Sequence, residues 1–166
     1  MKNKLAIIIM AAGKGTRMNT ELPKVLHKLK NKSMIEHVID KTQKINPDKL
    51  IIVVGHRADL VKQKLMDYNV EYAEQLEQLG TGHAIMQCQN TLKDFNGDTL
   101  ILSGDVPLIT EHTLSNLYMQ HVNKKSHGTV LSALIDDPTG YGRIIRNNES
   151  FVSIVEQKDA NNNQKK

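Results

Sequence analysis

No tryptophan occurs in the 166 residues, which hold only two phenylalanines, four tyrosines, four prolines and a single cysteine. With aromatics at 4%, the interior must be packed by aliphatic side chains. One cysteine, Cys88, excludes an internal disulfide framework and suits a reducing cytosol. No run approaches the roughly 18 apolar residues of a membrane span, so no membrane partner is expected. The seven histidines are scattered, without H-E-x-x-H or a Cys-His cluster, which argues against zinc. The absence of G-x-S-x-G disfavours a serine hydrolase. The formal charge of +4 would suit nucleic acid or phosphorylated small molecules. Lacking long basic runs and aromatics to stack bases, the chain points to small phosphates and not to nucleic acid.

What is present is a chain of one-domain length, residues 1–166, with a polar tail over 159–166. The start, Met1-Lys-Asn-Lys before Leu5 to Ala12, has the outline of a signal peptide. Its apolar run is at the lower length limit, and cleavage near Ala12 would detach the cationic loop that follows, so it is read as a strand. Continuous apolar runs at Leu5 to Met10, Leu50 to Val54 and Thr99 to Leu102 predict strands buried on both faces. A short strand is expected over Val70 to Ala73, and further strands over Thr129 to Leu134, Arg143 to Arg146 and Phe151 to Val155. Helical periodicity follows Ser33, an N-cap with Glu36 three residues on, and recurs over Leu60 to Met66, Thr81 to Leu92 and Thr110 to His121. Alternating strands and helices imply right-handed crossovers, a mostly parallel sheet and a three-layer α/β sandwich. Ligands of such sheets bind beyond the strands' carboxyl ends. Three segments stand there: Ala11 to Lys24, Gln75 to Gly82, and Ser103 to Pro107.

The first of these reads M-A-A-G-K-G-T-R-M-N-T-E-L-P-K. It is not a Walker A loop, whose glycines are separated by four residues, and Met18 replaces the third glycine of a dinucleotide fingerprint. It is a long loop whose glycines let backbone N–H groups approach an anion. Six cations (Lys14, Arg17, Lys24, Lys28, Lys30 and Lys32) fall between residues 14 and 32 against one acid, Glu21. Arg17 offers a fork for two phosphate oxygens and Lys24 a point charge, while Lys28, Lys30 and Lys32 read as a solvated face. Asp105, directly after a strand, suits a hard cation or equally a helix N-cap or Asx turn. Gly80 and Gly82 around Thr81 permit a ligand's approach, with Thr81 placed to cap the helix or to contact the ligand. Gly140-Tyr-Gly-Arg143 suits a hairpin or a sugar platform, and Glu156 a sugar contact or a surface strand.

In order and spacing, A-A-G-K-G-T-R-M, P-K-V-L-H-K, Q-L-G-T-G-H-A, S-G-D-V-P-L, D-D-P-T-G-Y-G-R-I and V-E-Q-K-D-A resemble the N-terminal uridyltransferase domain of the bacterial bifunctional GlmU family. That family joins an N-acetylglucosamine-1-phosphate uridyltransferase to a glucosamine-1-phosphate N-acetyltransferase. The resemblance implies a Rossmann-like nucleotidyltransferase fold and transfer of UMP from UTP to N-acetylglucosamine 1-phosphate, releasing pyrophosphate, in peptidoglycan and lipopolysaccharide precursor synthesis in the cytoplasm. By motif position, Met10, Ala11, Ala12 and Gly13 with Gln75, Gly80 and Thr81 would hold the uridine nucleotide. Arg17 and Lys24 would stabilise phosphate charge. Ser103 and Gly104 would line the substrate site, Asp105 would hold Mg2+, and Gly140 and Glu156 would contact the sugar. Met10 and Ser103 stand where the family pattern often has other residues. The family continues past V-E-Q-K-D-A into a further, Asn-borne metal ligand, an acetyltransferase and a trimerising β-helix. None fits before Lys166, so the expectation is an incomplete sheet, no acetyl transfer and no trimer of that kind. A cytidylyl-, guanylyl- or thymidylyltransferase, or a nucleotide-binding module without catalysis, remain the alternative readings.

Overall fold

The computed structural model describes residues 3–13, 15, 18, 20–148 and 150–165, which fall into two compact units, Met1–Thr129 and Val130–Lys166. The first is built on a four-stranded parallel sheet. Its strands are β1 (Leu5–Met10), β4 (Lys49–Val54), β5 (Glu71–Glu74) and β6 (Asp98–Ser103), in the spatial order β5-β4-β1-β6. A short antiparallel ribbon, β2 (Lys28–Leu29) with β3 (Lys32–Ser33), precedes the first helix.

Handedness dictates the layers. The chain moves from β1 to β4 to β5 through helices α1 (Met34–Gln43) and α2 (Ala58–Lys64), and then turns back across the sheet to β6 through α3 (Thr81–Met86). Right-handed crossovers running in opposite directions must lie on opposite faces. Accordingly, Leu5, Ile7, Ile9, Leu50, Ile52 and Val54 pack with Ile35, Val38 and Ile39 of α1, Val61 of α2 and Leu114 of α4 (Glu111–Asn123). Ile8, Ile51, Val53 and Ala73 pack on the other face against Ala84 of α3 and Cys88 beyond it. This parallel sheet flanked by helices bears out the expected α/β class.

Local sequence explains the helix starts. The backbone N–H and the hydroxyl of Ser33 both donate to Glu36 Oε2 at 2.7 Å, closing the N-terminus of α1. Burial pushes the Glu36 carboxyl up, but the Ser33 hydrogen bonds and the Lys64 ammonium 3.2 Å away outweigh it and hold the group below its ordinary range. Glu36→Ala removes these contacts and should cost about 1 kcal/mol, typical of a lost cap, read as a Tm several degrees lower. Thr110 caps α4, its hydroxyl accepting from Thr113 N at 3.1 Å.

Three expectations are corrected. The strand predicted over Thr99 to Leu102 forms, but it is the sheet's edge and is not buried on both faces: Leu102 is buried while Ile101 is 41% exposed. Its register partner Ile8 is buried with Ala84 of α3 and Cys88, a cover that does not extend to Ile101. The helix expected over Thr81 to Leu92 ends at Met86 and continues as turns through Cys88 N to Ile85 O and Gln89 N to Met86 O. The apolar period remains, with Ile85, Cys88 and Leu92 packed together, but Asn90 and Thr91 favour turns over helix. Thr129 to Leu134 forms no strand. The pattern suits one, but no ladder partner is present among the described residues, and Leu131 and Leu134 are exposed.

The second unit carries an antiparallel hairpin, β7 (Arg143–Asn147) with β8 (Ser150–Val155), as the apolar runs there predict.

Candidate active site

The order β5-β4-β1-β6 contains one switch point, between β1 and β6, where successive connections leave in opposite directions and open a crevice at the strands' carboxyl ends. Met10 and Ser103, the last residues of these two strands, are register partners at that crevice. An open cleft of about 410 Å3 stands there, within the size of ordinary small-ligand sites. Its walls include Met10, Ala11, Ala12 and Gly13 after β1, Gln75, Gly80 and Thr81 after β5, and Ser103 and Asp105 after β6, together with Lys24.

The crevice floor depends on a close backbone approach. Gly104 N donates to Met10 O at 2.9 Å, and a Cβ on Gly104 would stand 3.0 Å from that oxygen and 3.1 Å from Val25 Cγ1. Only glycine allows the turn after β6 to rest there without displacing a neighbour. That turn aims Asp105 at Lys24.

Lys24 Nζ lies 2.6 Å from Asp105 Oδ2, and the Ser103 hydroxyl donates to Oδ1 at 2.6 Å. Helix α4 begins six residues later under its own cap, Thr110, so Asp105 is not a helix N-cap. Burial pushes the Asp105 carboxyl up, yet the hydrogen bonds from Lys24 and Ser103 and the ammonium charge together hold it below the ordinary carboxylate range. A group depressed in the fold adds stability above its unfolded value, near 3.8, and loses it as pH falls through the lower folded value. The Tm difference between the native chain and Asp105→Asn should therefore hold from neutral pH down to about pH 4, and shrink below that.

Across the cleft, the Gln75 side chain is buried and its Nε2 donates to Gly80 O at 3.0 Å. Gly80 has φ 104° and ψ 177°, a region essentially confined to glycine, which turns its carbonyl toward Gln75. Thr81 is the first residue of α3, whose N-cap Gly80 has no side chain to cap it, and Thr81 lines the cleft. Of the surrounding lysines, Lys28 and Lys30 are exposed, as read from sequence, and Lys32 pairs with Asp40 at 2.6 Å.

Thus Met10 to Gly13, Lys24, Gln75, Gly80, Thr81, Ser103 and Asp105 are brought together at one cleft, with Gly104 beneath it. Arg17 lies outside the described residues, as does Lys14. Gly140 and Glu156 belong to the second unit, Gly140 with φ 87° before β7 and Glu156 directly after β8. The pairing of Arg143 with Val155 brings their flanks together, so that a Cβ on Gly142 would stand 3.6 Å from Glu156 Oε1.

Two polar residues escaped the sequence reading, Gln78 and His83. Gln78 lines the cleft and donates to Gln75 O at 3.2 Å, and His83 stands 3.1 Å from Gln75 Nε2. Their place in Q-L-E-Q-L-G-T-G-H-A, beside Gln75, was the available signal.

Asp105 is the one carboxylate among the described residues that line the cleft, and among the described residues no group of three or more His, Cys, Asp or Glu side chains could cage a metal. That fits a magnesium-type ion, which takes one or two carboxylates and fills its remaining positions with phosphate oxygens and water. Among the described residues no helix is long and apolar enough to cross a membrane.

Bifunctional protein GlmU of Streptococcus gordonii is 53% identical over 154 residues, 92% of this chain and 33% of that protein. The chain spans about a third of the length of the curated relatives it matches. Among solved structures, a putative glucose-1-phosphate thymidylyltransferase from Bacillus anthracis superposes with a TM-score of 0.69 at 21% identity, covering 92% of this chain and 64% of that one. A Mycobacterium tuberculosis protein solved in complex with manganese matches with a TM-score of 0.55 at 17% identity, over 70% of this chain and 58% of that one. The family model of the MobA-like NTP transferase domain matches residues 7–141, which include every residue of the cleft, and the chain belongs to that family.

Proposed function

We propose that the cleft is the nucleotide site of a uridyltransferase that moves UMP from UTP to N-acetylglucosamine 1-phosphate and releases pyrophosphate. The observation that carries this reading is the Lys24–Asp105–Ser103 cluster at the β1/β6 crevice, facing a glycine-bearing loop. The choice of uridine and of the amino sugar rests on the likeness to bifunctional GlmU proteins.

The chemistry asks for charge control and alignment. The sugar phosphate is already an anionic nucleophile. An oxygen of it attacks the α-phosphorus of UTP, forming one P–O bond, while the bond to the β-phosphate oxygen breaks and pyrophosphate leaves with that electron pair. No strong base is required. Ala12 and Gly13, beyond the end of β1, present backbone N–H groups to the phosphates, while Met10 and Ala11, whose N–H is taken by Val53 O at 2.8 Å, wall the nucleotide. Lys24, held at the cleft by Asp105, exchanges that partner for a phosphate oxygen and neutralises charge as it builds up. Asp105, kept ionised and aligned by the Ser103 hydroxyl, is the residue that would hold Mg2+. When bound, that ion supplies charge neutralisation across the phosphate oxygens. Arg17 acts with Lys24 on the triphosphate, Gly104 lets the Asp105 turn approach, and Gly140 and Glu156 contact the sugar. Such an enzyme works in the cytosol, in the supply of cell-wall precursors.

The test pairs UTP, CTP, GTP and dTTP with N-acetylglucosamine 1-phosphate and glucose 1-phosphate, with Mg2+, following pyrophosphate release and nucleotide affinity. UTP with N-acetylglucosamine 1-phosphate should lead on both. Stronger binding and turnover of another nucleotide would overturn the assignment.

A further inference from the structure

The least explained polar group beside the cleft is the imidazole of His83, on α3, which stands behind Gln75. Its Nδ1 lies 3.1 Å from Gln75 Nε2 and its Nε2 lies 3.1 Å from Gln87 Nε2. Each glutamine nitrogen is identified independently of the ring, because each also donates to a backbone carbonyl, which can only accept. Gln75 Nε2 donates to Gly80 O and Gln87 Nε2 to His83 O, both at 3.0 Å. A neutral imidazole has one bare nitrogen, so it can accept from only one of the two amides. Gln75 is 3% exposed, whereas Gln87 is only half-buried. An unmet N–H costs more in the buried position, since Gln87 can turn its amide to water. The bare nitrogen therefore faces Gln75, and the ring carries its proton on Nε2.

This tautomer occupies both N–H groups of the Gln75 amide, one on Gly80 O and one on His83 Nδ1. The amide oxygen has no partner among the described residues and is not sealed inside the protein, so it is the end offered to a ligand in the cleft that Gln75 lines. A lone acceptor attracts a ring N–H, which uracil and thymine carry at N3, and repels the lone pair that cytosine has there.

We propose that His83 is a positioning residue that locks the Gln75 amide with its oxygen toward the base, so that the cleft selects pyrimidines bearing an N3–H. The proposal rests on the reading of the cleft as a uridine nucleotide site. Without His83 only the bond to Gly80 O holds the amide, so a turn that offers its NH2 to cytosine costs one hydrogen bond less.

Titration calorimetry with UTP and CTP tests it on the native chain, His83→Ala and His83→Asn, the last supplying an oxygen acceptor near the position of Nδ1. The native chain should favour UTP. His83→Ala should narrow that preference on the order of tenfold, the worth of one hydrogen bond, and His83→Asn should restore much of it. In the native chain, 15N spectra of the His83 ring should show a bare Nδ1 and a protonated Nε2. A UTP/CTP ratio unchanged in folded His83→Ala, or a proton on Nδ1, would overturn the proposal. Equal binding of UTP and CTP by the native chain would instead overturn the uridine reading beneath it.

Discussion

Asp105→Asn should lose nearly all magnesium-dependent behaviour while keeping its fold. The substitution preserves the shape of the side chain and its hydrogen bond with Ser103, but removes the one anionic oxygen ligand of the cleft. Metal stabilisation of phosphate charge is worth several kcal/mol, so turnover should fall on the order of a hundredfold or more. Titrating UTP with and without Mg2+ gives a readout that does not depend on turnover. In the native chain the ion should tighten UTP binding, and in Asp105→Asn that gain should vanish. A variant that keeps the magnesium-dependent gain would remove Asp105 from the metal site.

Lys24→Met should produce the second large effect, and of a different kind. It deletes the ammonium that lies 2.6 Å from Asp105 and lines the cleft, while keeping most of the aliphatic stem. Loss of one charged donor to a transition state commonly costs roughly 3–4 kcal/mol, a hundredfold to a thousandfold in rate. The stability cost should be small. Both side chains of the pair are partly exposed, and such pairs contribute about 0–1 kcal/mol. Thermal unfolding should therefore barely move while pyrophosphate release collapses. Lys24→Arg should rescue little, because a planar fork does not replace a compact charge at this short distance. A Tm loss as large as the activity loss would make Lys24 a structural residue.

These two residues show how far the sequence could be read. Lys24 and Asp105 are 81 positions apart. Each was visible as a candidate from its setting, the cationic glycine-bearing loop for one and a strand end for the other. Nothing local distinguished a metal ligand from a helix cap at Asp105. The sheet removed the helix-cap reading, because it puts the end of β6 beside the end of β1 and places the cap of α4 elsewhere, on Thr110. His83 was hidden for a similar reason. A histidine on a helix carries no sign of its partners until the helix is docked beside Gln75.

The sequence by itself determined what short-range physics controls. Unbroken aliphatic runs made β1 and β4 two-sided strands, and Ser33 with Glu36 started α1 where they stand. The glycine-rich loop had spacings that excluded two familiar phosphate loops. Tertiary structure alone decided what depends on covering and pairing. It made β6 an edge with Ile101 exposed and left Thr129 to Leu134 without a ladder. An apolar run records that a segment can be buried, but only the elements packed around it decide whether it is, and a charged side chain's chemistry is fixed by partners that the fold brings from far along the chain.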